Sequence, residues 1–509
     1  MNLIEAAERL RVEASSDLAH TRRAELGQFF TPPAVARLMA SMIRARGPHV
    51  RILEPGAGAG SLIAAAVAQL IERADRPSRI SVVAYEVDPQ LVDTIEHVHW
   101  LCDELCRQGG VQFDGQSRSG DFIEQEASTL APSLFGNDER PWFDLVITNP
   151  PYRKIRSDSA HRRTLRAAGI ETGNLYSAFI AVAVQLLAPG GEIIAITPRS
   201  FCNGPYFRKF RELLLGIVSL EEIHIFESRK EAFRDDDVLQ ENIIWRGVRG
   251  AEPSSVKIST TDGSDAGSSS SLVVRSDEVV WPRDRERFIH IVQDRDSQAI
   301  AAAIRDLPCQ LSDLAVEPST GRVVDFRVKG HLRSLPEHDA RPLIYPAHFD
   351  RGFVTWPVNS RKPNALALTE STRDQFVPNE VYVLLKRFTS KEEKRRLVAA
   401  LYDPTRVAAL GEHQGVGFEN HLNYLHRSGR GLPLSFAKGL ALFLNSTIAD
   451  RFFRQFSGHT QVNARDLGML RYPDSDQIRA LGAHVGDVFP SQGEIDALVR
   501  EVMPEGMLR

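Results

Sequence analysis

Hydrophobic and polar positions between residues 34 and 200 follow two alternating patterns, short apolar runs and longer amphipathic stretches. The apolar runs predict strands at residues 51–53, 80–85, 143–147 and 192–197, with two more at 223–226 and 243–245. The amphipathic stretches predict helices at residues 33–46, 60–74, 89–108 and 175–187. Strands that alternate with helices are typical of a parallel sheet covered on both faces. The sequence therefore predicts an α/β fold with a mostly parallel sheet over residues 1–250.

Residues 251–275 interrupt this alternation because they are rich in Ser, Gly, Asp and Thr. Such a composition predicts a linker or an exposed loop. No clean alternation returns after it, so we expect a separate α+β domain over residues 276–509. Two domains also agree with the 509 residues of the chain, since a domain usually has about 100–200.

Composition narrows the class of protein. With 42% hydrophobic and 25% charged residues, the chain has no apolar run near the roughly 18 residues that a membrane span needs. Its first residues, MNLIEAAERL, are amphipathic and contain acids, which is unlike a signal peptide. We expect a cytoplasmic protein with no membrane contact.

The net charge of −4 argues against a wholly basic surface, but binding to a polyanion needs only a local basic patch. Residues 153–166 hold six basic residues and one acid, and residues 386–396 hold six basic residues and two acids. Each run alone could be a solvated face. We nevertheless take both as candidate nucleic-acid contacts, because one directly follows residues 149–152, Asn-Pro-Pro-Tyr, and the other lies in the second domain.

Cys102 and Cys106 lie near two histidines and could suggest a metal site. The two cysteines continue a row of apolar residues at helical spacing, which predicts the buried face of a helix instead. We therefore expect no bound metal.

A glycine-rich loop over residues 54–60, EPGAGAG, lies between a predicted strand and a predicted helix. Gly56, Gly58 and Gly60 let the backbone approach a ligand closely. The spacing differs from the Gly-x-Gly-x-x-Gly of dinucleotide sites, and Glu54 would repel a pyrophosphate but suits an ammonium group. The loop favours S-adenosylmethionine over NAD, although a turn that merely connects strand to helix remains open.

Two further acids follow at later strand ends. Glu86 ends a predicted strand, where a carboxylate can hold the two hydroxyls of a ribose. Asp121 can accept a hydrogen bond from the amine of an adenine ring. Either acid could instead be a helix cap or a solvated residue.

Residues 149–152, Asn-Pro-Pro-Tyr, directly follow a predicted strand. The side-chain carbonyl of Asn149 and the backbone carbonyl of Pro150 can accept both hydrogens of a planar amine and direct its lone pair at a methyl group. The prolines fix the backbone so that this carbonyl is presented, and Tyr152 offers a ring for stacking. A plain turn at the end of a strand is the alternative.

These motifs, in this order, resemble the gamma class of adenine-N6 DNA methyltransferases, the TaqI-like and PstI-like modification enzymes with an Eco57I-type methylase domain. The resemblance implies a Rossmann-like catalytic domain that uses S-adenosylmethionine, followed by a target-recognition domain. Residues 27–33, GQFFTPP, resemble the family segment that closes over the methionine part of the cofactor, which assigns Thr31. Residues 174–179, NLYSAF, resemble the helix start whose phenylalanine packs on the cofactor adenine, which assigns Phe179. Asn149 joins the cofactor-binding set by the same resemblance.

A second aromatic ring is expected on the far side of the target base. Residues 233–238, FRDDDV, resemble the loop that supplies it, and Phe226 competes for the role. We prefer Phe233, because its spacing to the next predicted strand fits better and because Phe226 is expected to be a buried strand end.

The resemblance also implies double-stranded DNA as a partner, a separate cognate restriction endonuclease and a monomeric protein. The candidate DNA-binding residues are Arg153, Lys154, Lys386, Arg387, Lys391, His421, Asn423, His459, Gln461 and Asn463. Their residue types suit phosphates or base edges.

The expected function is transfer of a methyl group to a flipped-out adenine in DNA. Three alternatives stay open: an Asn-Pro-Pro-Tyr methyltransferase for protein glutamine or ribosomal RNA, a catalytically idle DNA-binding module, and a fused restriction enzyme.

Overall fold

The computed structural model describes residues 2–17, 30–130, 142–226, 241–261, 270–335, 339–389, 393–407, 415–457 and 461–503. The chain divides into two units, Met1–Gln293 and Asp294–Arg509. Within the described ranges, none of the helices combines the length and the apolar character that crossing a bilayer requires.

A nine-stranded sheet organises the described part of the first unit. Its strands are β1 His49–Glu54, β2 Arg79–Glu86, β3 Gln112–Ser119, β4 Phe143–Thr148, β5 Leu187–Pro198, β6 Val218–Phe226, β7 Asn242–Arg249, β8 Ser255–Thr261 and β9 Ser270–Arg275. The order is β3-β2-β1-β4-β5-β7-β6-β8-β9. Neighbours among the first five strands are parallel, whereas β7 runs antiparallel to both β5 and β6. This architecture confirms the predicted α/β fold with a mixed, mostly parallel sheet.

Helices connect the strands of this unit. They are α1 Leu3–Asp17, α2 Pro33–Ser41, α3 Ser61–Glu72, α4 Pro89–Gln108, α5 Phe122–Leu130, α6 Ala160–Ala167, α7 Leu175–Ala183, α8 Arg208–Ile217 and α9 Ser276–Val279. α4 begins where Asp88 accepts a hydrogen bond from the backbone N–H of Gln90 and Pro89 presets the first turn. Cys102 and Cys106 are buried on this helix together with Ile95 and Val98, as the helical spacing predicts.

The predicted linker over residues 251–275 is where the first unit differs from expectation. β8 and β9 occupy most of that range and complete one end of the sheet. Their Ser and Thr residues resemble a loop in composition, but Val256 and Ile258 of β8 and Val274 of β9 are buried on the packed face of the sheet. The first unit therefore extends to Gln293 rather than to residue 250.

The second unit contains two small sheets in its described residues, of order β10-β20-β17-β18-β14-β13 and β11-β15-β12-β19-β16. The strands are β10 Glu317–Thr320, β11 Leu332–Arg333, β12 Ala340–Ile344, β13 Phe349–Asp350, β14 Phe353–Val354, β15 Ala365–Ala367, β16 Phe376–Pro378, β17 Tyr382–Lys386, β18 Ala399–Tyr402, β19 Gly415–Phe418 and β20 Leu422–His426. The helices are α10 Arg295–Arg305, α11 Leu434–Leu444, α12 Thr447–Phe456, α13 Ala464–Met469, α14 Ser475–Ala483 and α15 Gln492–Val502. The predicted α+β character of this half is confirmed.

Two glycines let α11 and α14 pack with their backbones in contact. A Cβ added to Gly439 would lie 1.7 Å from the carbonyl oxygen of Ile478, and one added to Gly482 would lie 1.9 Å from that of Ser435. Only glycine fits at either position.

Candidate active site

The sequence-predicted site residues of the first unit meet where the strand order reverses. β1 pairs in parallel with β2 on one side and with β4 on the other, and the connections leave in opposite directions along the sheet. Such a switch point opens a crevice at the carboxyl ends of the strands, which is the usual ligand site of open α/β sheets. Glu54, Glu86 and Thr148 are the last residues of the three strands.

Glu54 is buried at the end of β1, with 1% of its surface exposed. It accepts a backbone hydrogen bond from Ile63 in the first turn of α3, yet no described group donates to its Oε2 atom. Burial, followed by the nearby Glu86 carboxylate, raises the pKa of Glu54 well above its usual value. A buried carboxylate oxygen without a donor is costly, so this atom is a natural partner for a cationic ligand.

The glycine-rich loop turns tightly around Glu86. Gly58 and Gly60 have φ values of 55° and 76°, which favour glycine, and the N–H of Gly58 donates to Glu86 Oε2 at 2.8 Å. Burial raises the pKa of Glu86 to about 7, although backbone hydrogen bonds from Asp88 and Gly58 oppose this rise. Gly56 allows close approach of Phe179, since a Cβ there would lie 3.3 Å from its ring.

Asn149 is held at both ends of its amide. Its Nδ2 donates to Thr31 Oγ1 at 3.2 Å, and the Tyr152 hydroxyl donates to its Oδ1 at 3.0 Å. The Tyr152 hydroxyl also lies 3.3 Å from the carbonyl oxygen of Ile196, and burial raises its pKa, so it remains a donor. These two hydrogen bonds fix the plane of the amide and therefore the direction in which Asn149 Oδ1 presents its lone pairs.

Backbone pairing connects this segment to α7. The N–H of Ile155 donates to the carbonyl of Gly173 at 2.8 Å, and the N–H of Leu175 donates to that of Arg153 at 2.7 Å. Leu175 starts α7, which carries Phe179. The Phe179 ring lies 5.4 Å from that of Phe122, so it packs between the glycine-rich loop and α5.

Asp121 has a hydrogen-bond partner that was not predicted from the sequence. His161 Nε2 lies 2.8 Å from Asp121 Oδ2, and the N–H of Glu124 donates to Asp121 Oδ1 at 3.0 Å. Burial alone would raise the pKa of Asp121, but these hydrogen bonds outweigh it and hold the pKa below its usual value. The same hydrogen bond raises the pKa of His161, with help from Glu124 and against burial and the charge of Arg153. Asp121 thus caps α5 and also joins it to α6.

The His161–Asp121 pair predicts a pH-dependent stability. His161 has a raised pKa in the folded protein, so its contribution is complete below its unfolded pKa of about 6.5 and is lost as the pH rises through the folded value. Asp121 has a lowered pKa, so its contribution is lost as the pH falls below about 4. We expect His161→Gln to lower the free energy of unfolding by about 1 kcal/mol between about pH 4 and about pH 6.5, and by less at lower or higher pH. Denaturant unfolding across pH measures this, with the exposed His97→Gln as the control; a loss independent of pH would exclude the ion pair.

The remaining predicted residues differ in how the structure places them. Phe233, His459 and Lys391 lie outside the described residues. Phe226 is buried in the main core of the first unit, as expected for a strand end. The prediction that Asn423 contacts DNA is wrong. The residue is fully buried, its Nδ2 donates to the Val462 carbonyl and its Oδ1 accepts from the Thr320 hydroxyl, so it is unable to contact a base.

The candidate DNA contacts that are described differ in their surroundings. Arg153 and Lys154 are exposed on the first unit, just after Tyr152. Lys386, Arg387, Gln461 and Asn463 are half-buried on the second unit, where the Asn463 amide donates to Asp466 at 3.0 Å.

Comparisons with known proteins cover nearly the whole chain. A family model described as Eco57I restriction-modification methylase matches residues 95–233. The chain is 41% identical to the type II methyltransferase M.PstI of Providencia stuartii over 97% of this chain and 96% of that protein. It is 42% identical to the type II methyltransferase M.BsuBI of Bacillus subtilis over 94% of each. Among solved structures, the chain is similar to the type IIG restriction endonuclease BpuSI. The match spans 99% of this chain and 66% of the BpuSI chain, with 14% sequence identity and a TM-score of 0.45.

Proposed function

This chain belongs to the type II methyltransferases of restriction-modification systems, and from that premise we propose that it methylates the exocyclic N6 amine of adenine in double-stranded DNA, with S-adenosylmethionine as the donor. The observation that carries this proposal is the Asn149 amide, fixed between Thr31 and Tyr152 at the end of β4 and beside the strand that ends in Glu54.

The residues around the glycine-rich loop fit S-adenosylmethionine. Glu54 Oε2 lacks a donor among the described residues and would receive the methionine ammonium. Glu86 would hold the ribose hydroxyls, Asp121 would accept from the adenine amine, and Phe179 would pack on the adenine ring. When bound, the cofactor supplies an electrophilic methyl group.

The chain's own role in the reaction is to orient the amine. An adenine amine is a weak nucleophile because its lone pair is delocalised into the ring. Asn149 Oδ1 and the Pro150 carbonyl would accept its two hydrogens, which favours a tetrahedral nitrogen with the lone pair aimed at the methyl group. Catalysis of this kind relies on alignment and on dipoles already in place. A base in a duplex is unable to reach such a site, so the adenine must flip out.

The second unit would supply target recognition, because the first holds the catalytic segment and the glycine-rich loop. We further propose that the protein acts as a monomer and that a separate endonuclease cleaves the same DNA sequence.

Glu54→Gln tests the cofactor site by two effects of opposite sign. Removing the charge is expected to weaken S-adenosylmethionine binding about tenfold to hundredfold, since a hydrogen bond between ions is lost. The ligand-free protein is expected to become more stable near neutral pH, because the raised pKa of Glu54 means that ionising it costs stability as the pH rises. Calorimetric titration and thermal unfolding measure both, with the exposed Glu72→Gln as control; unchanged affinity would remove Glu54 from the site.

The function itself is tested with S-adenosylmethionine labelled in its methyl group. The protein is incubated with unmethylated duplex DNA, with ribosomal RNA or with a protein extract, and the product is digested to nucleosides or amino acids. Label in N6-methyladenine from DNA is the expected result. Label confined to RNA or to glutamine would replace the proposal with one of its rivals.

A further inference from the structure

Three segments of the second unit meet around Arg387. The end of β17 pairs with the start of β20, and the N–H of Arg387 donates to the carbonyl of His421 at 2.8 Å. On the other side, the N–H of Val462 donates to the carbonyl of Arg387 at 2.7 Å. The backbone on both sides of this arginine is therefore fixed.

The guanidinium group of Arg387 is fixed as well. Its Nη1 donates to the carbonyl of Asn420 at 3.1 Å and its Nη2 donates to Gln461 Oε1 at 3.3 Å, while its Cζ lies 5.3 Å from the centre of the Phe388 ring. A guanidinium has five N–H donors, so three remain for a ligand. An arginine that only neutralises a phosphate needs no such fixed plane, whereas recognition of two acceptors at once does.

His421 lies beside this arginine and is also held in place. The centre of its ring lies 4.7 Å from the centre of the Phe388 ring. Its Nδ1 atom and its backbone N–H both form hydrogen bonds with the fully buried carboxylate of Glu419. Because Nδ1 is engaged, only Nε2 can face a ligand. Phe388 and His421 are among the residues that line a cavity of about 310 Å³, together with Glu419 and Lys362, and Phe388 is 41% exposed.

We propose that Arg387, with His421 beside it, reads the major-groove edge of one guanine in the recognised DNA sequence, and that Glu419 is the positioning residue for His421. Guanine presents two acceptors there, N7 and O6, which match a fixed arginine fork. This inference rests on the proposed function, since it names a contact with the same DNA.

The test begins by finding the recognised sequence. Full-length protein methylates a plasmid, and sequencing that detects N6-methyladenine locates the modified sites. If no modified site is found, the proposed function is overturned. The inference on Arg387 is tested separately, in the next step. Each guanine of the site is then replaced in turn by 7-deazaguanine, which lacks N7, and binding of the duplex is measured.

We expect 7-deazaguanine at one position of the site to weaken binding by the wild-type protein about tenfold to hundredfold. Arg387→Ala should weaken binding of unmodified DNA by a similar factor. Placing 7-deazaguanine at that position should then weaken binding by this variant no further, because the two changes remove the same contact. Arg387→Lys keeps the charge without the fork and should not restore discrimination. Arg500→Ala, an exposed arginine of the same unit, is the control.

Two results would overturn the inference. In the first, the losses of affinity from Arg387→Ala and from 7-deazaguanine add up at every guanine. In the second, Arg387→Ala weakens binding to all DNA sequences alike and Arg387→Lys restores it. Either result would make Arg387 a phosphate contact. For Glu419→Gln, discrimination at that guanine should fall in the presence of His421 and stay unchanged in a His421→Ala background. An effect of the same size in both backgrounds would mean that Glu419 is merely structural.

Discussion

Asn149→Ala is expected to slow methyl transfer about a hundredfold to a thousandfold, the usual effect of removing one fixed dipole from a reacting centre. Binding of S-adenosylmethionine should change by only a fewfold, because Glu54, Glu86 and the glycine-rich loop stay intact. Single-turnover rates and calorimetric titration separate the two. The exposed Asn359→Ala is the matched control, and equal loss of rate and binding would make Asn149 a structural residue.

Tyr152→Phe refines this result because it keeps the ring and removes only the hydroxyl that donates to Asn149 Oδ1. If Tyr152 acts by orienting the amide, the rate falls while DNA affinity is retained. If the ring alone matters, the variant is as fast as the wild type.

Gly439→Ala is expected to destabilise the second unit by about 3 kcal/mol or more, the upper range for overpacking. The added Cβ would overlap the carbonyl oxygen of Ile478, and a backbone atom in a helix has little room to move. The matched control is Gly493→Ala in α15, where a Cβ meets no described atom within 4 Å and helix propensity should raise stability slightly. Thermal unfolding measures both, and equal melting temperatures would mean that α11 and α14 do not approach so closely.

The sequence predicted the centre of the first unit well, because its signals are local. The apolar run that ends at Glu54, the glycines that follow it and the run before Asn149 each determine structure within a few residues, and their strands are buried as expected. The strand order was not predicted; in the structure it reverses beside β1, and ligands of open α/β sheets bind at such a point.

Contacts between distant residues were less predictable. His161 reaches Asp121 from α6, a short helix that was not predicted, and no spacing rule connects two residues so far apart. The position of Asp121 at a strand end implied β3, but no range was predicted for it, because its sequence QFDGQSRS is mostly polar and shows no apolar run. In the second unit the strands have two to five residues, too short for a clear alternation.

The backbone pairing between residues 153–155 and 173–175 closes residues 156–172 into a loop whose two ends are anchored. Doubling the length of a flexible loop costs only about 0.6 kcal/mol in closure entropy. We therefore expect short insertions among the exposed residues 156–158 to leave Asn149 and Phe179 in place, whereas the buried Leu165 and Ile170 fix the rest of the stretch in the fold. The turn before α6 can therefore vary in length while the paired backbone at the two ends of the loop keeps the Asn-Pro-Pro-Tyr segment and the start of α7 in register.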